Sequence, residues 1–587
     1  MIVSINAPER TDNVRPTGLS RPVALLAALF VVGACSSEPE NPADLVLTNG
    51  KIVTVDEAMP DAQAVAVKDG RILAVGSGAD IQAYVGSATR VVDLAGRLAV
   101  PGFIEGHGHF MGLGETRMIL DVSTAANWDD IVARVGEAAR SAQPGQWIQG
   151  HGWHQEKWNR VPEPNVDGVP LHAGLSAVSP DNPVILSHAS GHAAFANGRA
   201  MEVAGVTRTT ADPPGGTVVK DAEGNPTGLL RENADALVYS VMQREMDARS
   251  DEAKWAEFQQ QVKLAGANAL ENGVTSFHDA GENFATLDGL KRLADEGQLP
   301  IRLYVMVRFE TNDAMRQKLP AYKMIGYGND FLTVRSIKRQ IDGALGSHGA
   351  WLLEPYADLP TSTGLTVENP ADIEETARIA AELGYQLNTH AIGDRANREV
   401  LDIYERTFQA QPGTDRRWRI EHAQHLNPAD IPRLAELGVI AAMQGIHCTS
   451  DAPWVLKRLG AERAESGAYM WRSLMDEGVA IGNGTDVPVE RISPIASFTA
   501  SVVRKDLEGN DFYPAQKMTR MEALRSYTLN NAFAAFEEDL KGSITPGKLA
   551  DITILDRDLM TVPDEELSMT KVDMTILGGR VAYERAR

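Results

Sequence analysis

The chain has 587 residues, 43% hydrophobic and 23% charged, and its 79 acidic against 56 basic side chains give a formal net charge of −23. That length and composition suit a large globular enzyme, and a surface this acidic repels phosphate backbones and anionic headgroups. Neither nucleic acid nor a membrane surface is therefore an expected partner; the partner expected is a small-molecule substrate.

The first element is an N-terminal signal. Arg21 precedes an apolar run over 23–32 that is too short to remain as a membrane-spanning helix, and Gly33-Ala34-Cys35 follows. This pattern resembles a bacterial lipoprotein signal. It predicts removal of 1–34, acylation of Cys35 and a polar tether over 35–42. The expected location is the cell envelope, lipid-anchored and facing the periplasm, or outside the cell if the signal is an ordinary secretory one. Only Cys448 remains, so no structural disulfide is expected.

Strand–turn–strand patterns follow at 43–55, around Asn49-Gly50, and at 64–75, around Asp69-Gly70. They return at 550–555 and 572–583. Residues 43–97 and 541–587 are thus predicted to form one small β-sandwich from both chain ends, with the catalytic body over 98–540 inserted between them. Within that body apolar runs occur at 98–104, 274–277, 301–307, 333–341, 385–389, 418–420, 439–443 and 479–482. Helical periodicity separates most of them, clearest over 251–272 and 372–383. Such alternation predicts an α/β fold, a (β/α)8 barrel with its active site at the carboxyl ends of the strands. The interval 120–250 carries strands of its own and reads as an inserted domain over the barrel mouth.

The chemistry collects at those strand ends. Pro101-Gly-Phe-Ile-Glu-Gly-His-Gly-His109 places His107 and His109 at i and i+2, on one face of extended chain. Further along come Lys338, His390, His422 and Asp486, each in or at the end of another strand. Nitrogen and oxygen donors gathered on one barrel rim suit Zn²⁺ or a similar divalent ion. Gln340 and Asp342 share a face with Lys338, so this lysine either pairs with Asp342 beside one ion or, as a neutral amine, adds CO₂ and bridges two.

With Asp342-Gly-Ala-Leu-Gly-Ser347, His390-Ala-Ile-Gly-Asp-Arg395 and Arg419-Ile-Glu-His-Ala-Gln424, these motifs resemble the amidohydrolase superfamily. The similarity is to its family 3, the YtcJ-like branch that includes N-substituted formamide deformylases. The resemblance implies that His107, His109, His390 and His422 ligate metal, that Lys338 can be carboxylated, and that Asp486 is both ligand and proton shuttle. The implied reaction is hydrolysis of an amide, formamide or carbamate C–N bond by a metal-activated hydroxide. Alternatives are a mononuclear deaminase of the same superfamily and a catalytically inactive lipid-anchored binding protein. Substrate contacts are expected from strand-end loops and the insertion, with Trp153, His192, Glu232, Gln444 and His447 as candidates beside the stretch His278-Asp279. A homo-oligomer is the expected quaternary option.

Overall fold

The computed structural model describes residues 38–586. The predicted signal and Cys35 lie outside the described residues. The body is a (β/α)8 barrel. Its strands are β1 (Phe103–Gly108), β2 (Val274–Glu282), β3 (Arg302–Val307), β4 (Leu332–Gln340), β5 (Gln386–Ala391), β6 (Arg419–His422), β7 (Ile440–Gln444) and β8 (Ile481–Gly484). Neighbours pair in parallel in that order. Most residues of these strands are buried on both faces, because side chains fill the interior and helices cover the outside.

The seam between β8 and β1 is closed at the mouth. His107 O accepts from Asp486 N and Val487 O accepts from His109 N, both at 2.7 Å. Deeper in, the Asn531 amide donates to Ile104 O at 2.7 Å and to Asn483 O at 2.8 Å, stitching the two strands. Gly484 permits the approach, since a Cβ there would lie 2.5 Å from Glu105 Oε1 and 2.7 Å from His107 N. This seam sets His107, His109 and Asp486 side by side.

Both chain ends meet in a two-sheet sandwich with a shared core that includes Leu47, Ile52, Val65, Ile552 and Ile576. Two details differ from the expectation. The run at 98–104 is two strands: Leu98–Pro101 pairs antiparallel with Ile552–Leu555 in the sandwich, and the barrel begins only at Phe103. The 43–55 stretch is also no hairpin. Leu45–Thr48 and Lys51–Val53 enter different sheets, so Asn49-Gly50 is the corner between them. By contrast Ala64–Lys68 and Arg71–Gly76 do form a hairpin, and Asp69 and Gly70 both take the positive φ its turn needs.

Between β1 and β2 lies a separate six-stranded sheet spanning Leu120 to Glu232, flanked by helices such as Trp128–Ser141 and Ala236–Asp247. It has its own apolar core, in which Trp128, Trp153 and Phe195 pack edge-to-face. Its loops roof the barrel mouth and leave a cavity of about 500 Å³ between the two. Among the described residues no helix is long and apolar enough to cross a membrane.

Candidate metal centre

The floor of that cavity is where the strand ends converge. His107 and His109 leave β1, Lys338 points in from β4, His390 from β5 and His422 from β6, and Asp486 follows β8. His109 Nε2 lies 3.3 Å and His107 Nε2 3.5 Å from Asp486 Oδ1. Lys338 Nζ lies 3.4 Å from His107 Nε2. The rings of His107 and His422 are 4.7 Å apart, and those of His390 and His422 4.4 Å. The structure thus brings all of the predicted ligands to one place.

Two of them reach it through unusual backbone. Strand alternation turns Arg419 and Glu421 inward and would turn His422 outward. A φ of +76° at His422 swings its ring back over the mouth, and Asp486 likewise has a φ of +56°. Left-handed conformations cost a non-glycine residue of order 1–3 kcal/mol and persist where the surroundings fix them.

The protonation states suit a cation. Burial, then the Lys338 charge, pushes His107 down to about 4, and burial holds His390 and His422 well below the usual imidazole range. Burial also opposes ionisation of Asp486. The surrounding imidazoles, His107 first, outweigh it and keep the carboxyl far below its ordinary value. At neutral pH the centre therefore offers neutral imidazoles around a carboxylate, the forms a divalent ion binds. Two sets of donor atoms lie close enough to share an ion, His107–His109–Asp486 and His422–His447–Asp486. His390 Nε2 and Asp486 Oδ1 are buried without a hydrogen bond, which is costly unless something else occupies them. The residues present fit the divalent metal that the sequence motifs implied.

A supporting layer fixes the rings. Glu421 takes the Nδ1 side of His107 and is held in turn by Arg419 at 2.7 Å. Gln444 Oε1 accepts from His422 Nδ1 at 2.8 Å, so Nε2 is left to ligate. Glu421 escaped the sequence reading, although the inward charges of Arg419-x-Glu421 in a core strand were a usable signal. Glu421→Gln should weaken metal binding by about 10–100-fold while the fold persists. Metal titration against a competing chelator measures this.

Asp342 does not pair with Lys338. Its carboxylate accepts the backbone N–H groups of Trp351, Ile392 and Gly393 at 2.8–3.0 Å and so braces the loops after β4 and β5. No carboxylate lies within 4 Å of Lys338 Nζ among the described residues. Burial, then the nearby Arg308 charge, pushes this lysine down to about 7.

The substrate candidates divide. His192 faces the cavity from the insertion, and its Nδ1 is 2.8 Å from Glu232 Oε2. Burial works against a charge on His192, but Glu232 outweighs it and raises the imidazole. His447 also lines the cavity. Trp153 does not: it is 1% exposed in the insertion core and donates its indole N–H to Leu186 O at 2.8 Å. Gln444 and Glu232 act through His422 and His192 rather than on the cavity itself. His278 and Asp279 lie beneath the floor, with His278 Nδ1 3.2 Å from Arg419. Arg308 and Lys157 were missed by the sequence reading and line the wall.

The amidohydrolase family model matches residues 90–583. The chain is 34% identical to the protein LONG AFTER FAR-RED 3 of Arabidopsis thaliana, covering 92% of each. It is 31% identical to the putative amidohydrolase YtcJ of Bacillus subtilis, covering 92% of this chain and 99% of the relative. With the N-substituted formamide deformylase of Arthrobacter pascens it shares 28% identity over 92% and 98% of the two chains. A solved structure described as an uncharacterized metal-dependent hydrolase from Pyrococcus horikoshii superposes with a TM-score of 0.70 at 26% identity, over 89% of this chain and 99% of that one.

Proposed function

Since the chain belongs to the amidohydrolase family and is a metal-dependent hydrolase of that superfamily, we propose that it cleaves the C–N bond of a small amide, formamide or carbamate. The observation that carries this reading is the convergence of His107, His109, Lys338, His390, His422 and Asp486 at the floor of one cavity. Similarity to a formamide deformylase over nearly the whole chain supports the bond type.

The four histidines and Asp486 would hold the metal. A divalent ion bound there supplies the charge that makes a water acidic near neutral pH and polarises a carbonyl oxygen. The protein does the rest. Asp486 stays ionised, so it takes a proton from the attacking water and returns it to the leaving nitrogen. The new C–O bond replaces the C–N bond, and the products are a carboxylate (formate for a formamide) and an amine. Glu421 and Gln444 keep the rings aimed, and the insertion limits access to molecules that fit about 500 Å³.

We infer that Lys338 can take up CO₂, and as a carbamate it would be the residue able to hold a second ion beside the first. It is buried beside His107 without a carboxylate partner, and a carbamate there would replace a costly lone ammonium with two donor oxygens. Zn²⁺ is the proposed metal, on the donor set. A mononuclear deaminase gains no support from a lysine so placed. The test is a screen of N-formyl, N-acyl and carbamate compounds with metal-replete protein. Release of amine that a chelator abolishes is expected. Chelator-sensitive ammonia release from an exocyclic amine, with none of these substrates turned over, would point to the deaminase instead.

Acylation of Cys35 and attachment to the cell envelope, facing the periplasm, complete the proposal. Intact-mass measurement on membrane-extracted protein should show a chain beginning at Cys35 with added acyl mass. A chain retaining residues 1–34 without that mass rejects it.

A further inference from the structure

Strand β3 ends at Val307, and the residue after it, Arg308, lines the cavity. Its backbone fixes it there. The Arg308 N–H donates to Glu282 O at 2.8 Å, and Gly281 leaves room for the stem, since a Cβ there would lie 2.5 Å from Arg308 Cβ and 2.6 Å from its Cδ. Phe309 then takes a φ of +64° and is 68% exposed, so the chain turns out to solvent directly after the arginine. A guanidinium carries five N–H donors. Here Nη2 donates to Gln340 Oε1. Gln340 is itself held, because its amide donates to Asp342 O at 3.2 Å and its backbone N–H to Glu368 Oε1 at 3.0 Å.

No carboxylate lies within 4 Å of this guanidinium among the described residues. The other charges on the cavity wall are accounted for. Lys157 Nζ lies 3.6 Å from Glu490 Oε1, and His192 is paired with Glu232. Asp451 accepts from the Tyr469 hydroxyl at 2.5 Å and from the Gln424 amide at 2.8 Å. Burial pushes Glu115 up, towards its neutral acid. Lys338 and Asp486 belong to the centre itself. Arg308 is thus left as a permanent charge on the wall without a counter-charge. It also stands near the chemistry: after burial, its charge is the foremost influence on Lys338.

We propose that Arg308 determines substrate choice, and that the substrate is an anionic amide carrying a carboxylate a few bonds from the scissile C–N group. This rests on the C–N hydrolase reading and narrows it. The planar fork of an arginine matches a carboxylate through two parallel N–H···O bonds, a geometry that a lysine does not offer. A half-buried cation without a partner is costly, and a carboxylate supplies both the charge and the acceptors. Gln340 would keep the fork aimed. The charge can sit on the amine half, as in an N-formyl or N-acyl amino acid, or on the acyl half, as in a monoamide of a dicarboxylic acid.

The experiment measures kcat/KM of the metal-replete full chain on paired compounds. N-formyl and N-acetyl amino acids, and N-substituted monoamides of succinate, are each compared with the same molecule whose carboxylate is capped as a primary amide, and only release of the substituted amine is scored. The wild type should favour the acids by about 30-fold or more in one set, and that set identifies the half that bears the charge. Arg308→Gln should collapse this ratio by about 30-fold or more, chiefly through KM, because one partner of a charge pair is lost. Arg308→Lys should keep part of it. Circular dichroism confirms the fold, and should Gln fail this, Arg308→Met takes its place. A wild type indifferent to the carboxylate, or a folded variant that loses acids and capped compounds alike, would overturn the assignment and leave the C–N reading intact. Cleavage of no amide in either form would sink that reading and this inference with it.

Discussion

Asp486→Asn should cut turnover by about 10³-fold or more, while much of the metal stays bound to the histidines. The size follows from the loss of a positioned acid–base group, which contributes about 10²–10⁴-fold. The direction follows from the site. Asp486 is buried, ionised at neutral pH, and 3.3 Å from His109 Nε2, and an amide of the same shape neither accepts nor returns a proton. Its backbone N–H bonds His107 O across the barrel seam, and that contact survives the substitution. The fold should therefore be unaltered and the loss should fall on kcat. Near wild-type turnover in this variant, on a substrate the wild type hydrolyses, would remove Asp486 from the proton-transfer role.

The second large effect is expected at Lys338. Lys338→Ala should lose one of two ions and lower activity beyond the about 10–100-fold that loss of an outer partner costs. Short carboxylic acids added to this variant should restore part of both, since they supply the two oxygens that the proposed carbamate would supply. In the wild type, bicarbonate during reconstitution should raise metal uptake and activity, and intact mass under mild conditions should show one added CO₂. A wild type with a single ion, no added mass and no response to bicarbonate would leave Lys338 as an unmodified neighbour of His107.

The barrel was readable because its strands are apolar on both faces and the stretches between most of them have helical period. The residues that converge at the mouth were readable because each lies in or at the end of a strand, where the barrel geometry leaves few places to point. What escaped the sequence did so for physical reasons. In the run at 98–104 only Gly102 marks the change of sheet, and one glycine does not distinguish a strand that continues from one that is handed over. Trp153 was expected at the cavity wall, but an indole beside glycines looks the same whether it lines a cavity or closes a core. Gln444 reads in the sequence as a substrate contact, and a polar residue at a strand end does not disclose that its oxygen holds His422. His422 itself defies the period of two, since its inward direction comes from a positive φ that no pattern of residue types announces.

The sandwich has a consequence for the order in which the chain is made. Leu98–Pro101 leaves the ribosome early, yet the strand it pairs with is Ile552–Leu555, and Val572–Leu577 and Arg580–Glu584 complete that sheet. Closing so long a loop adds little entropy cost, because the cost grows only with the logarithm of length, but it delays folding. Until synthesis ends, an apolar strand adjoining β1, which carries His107, keeps an open edge, the kind of surface that pairs with other chains. Buried Arg302, on β3, is likewise left without Asp551, which meets it at 2.8 Å. A stop codon shortly before Ile552 would spare every residue of the candidate metal centre and still yield a chain prone to aggregate, because the partner of one of its first core strands is among the last residues translated.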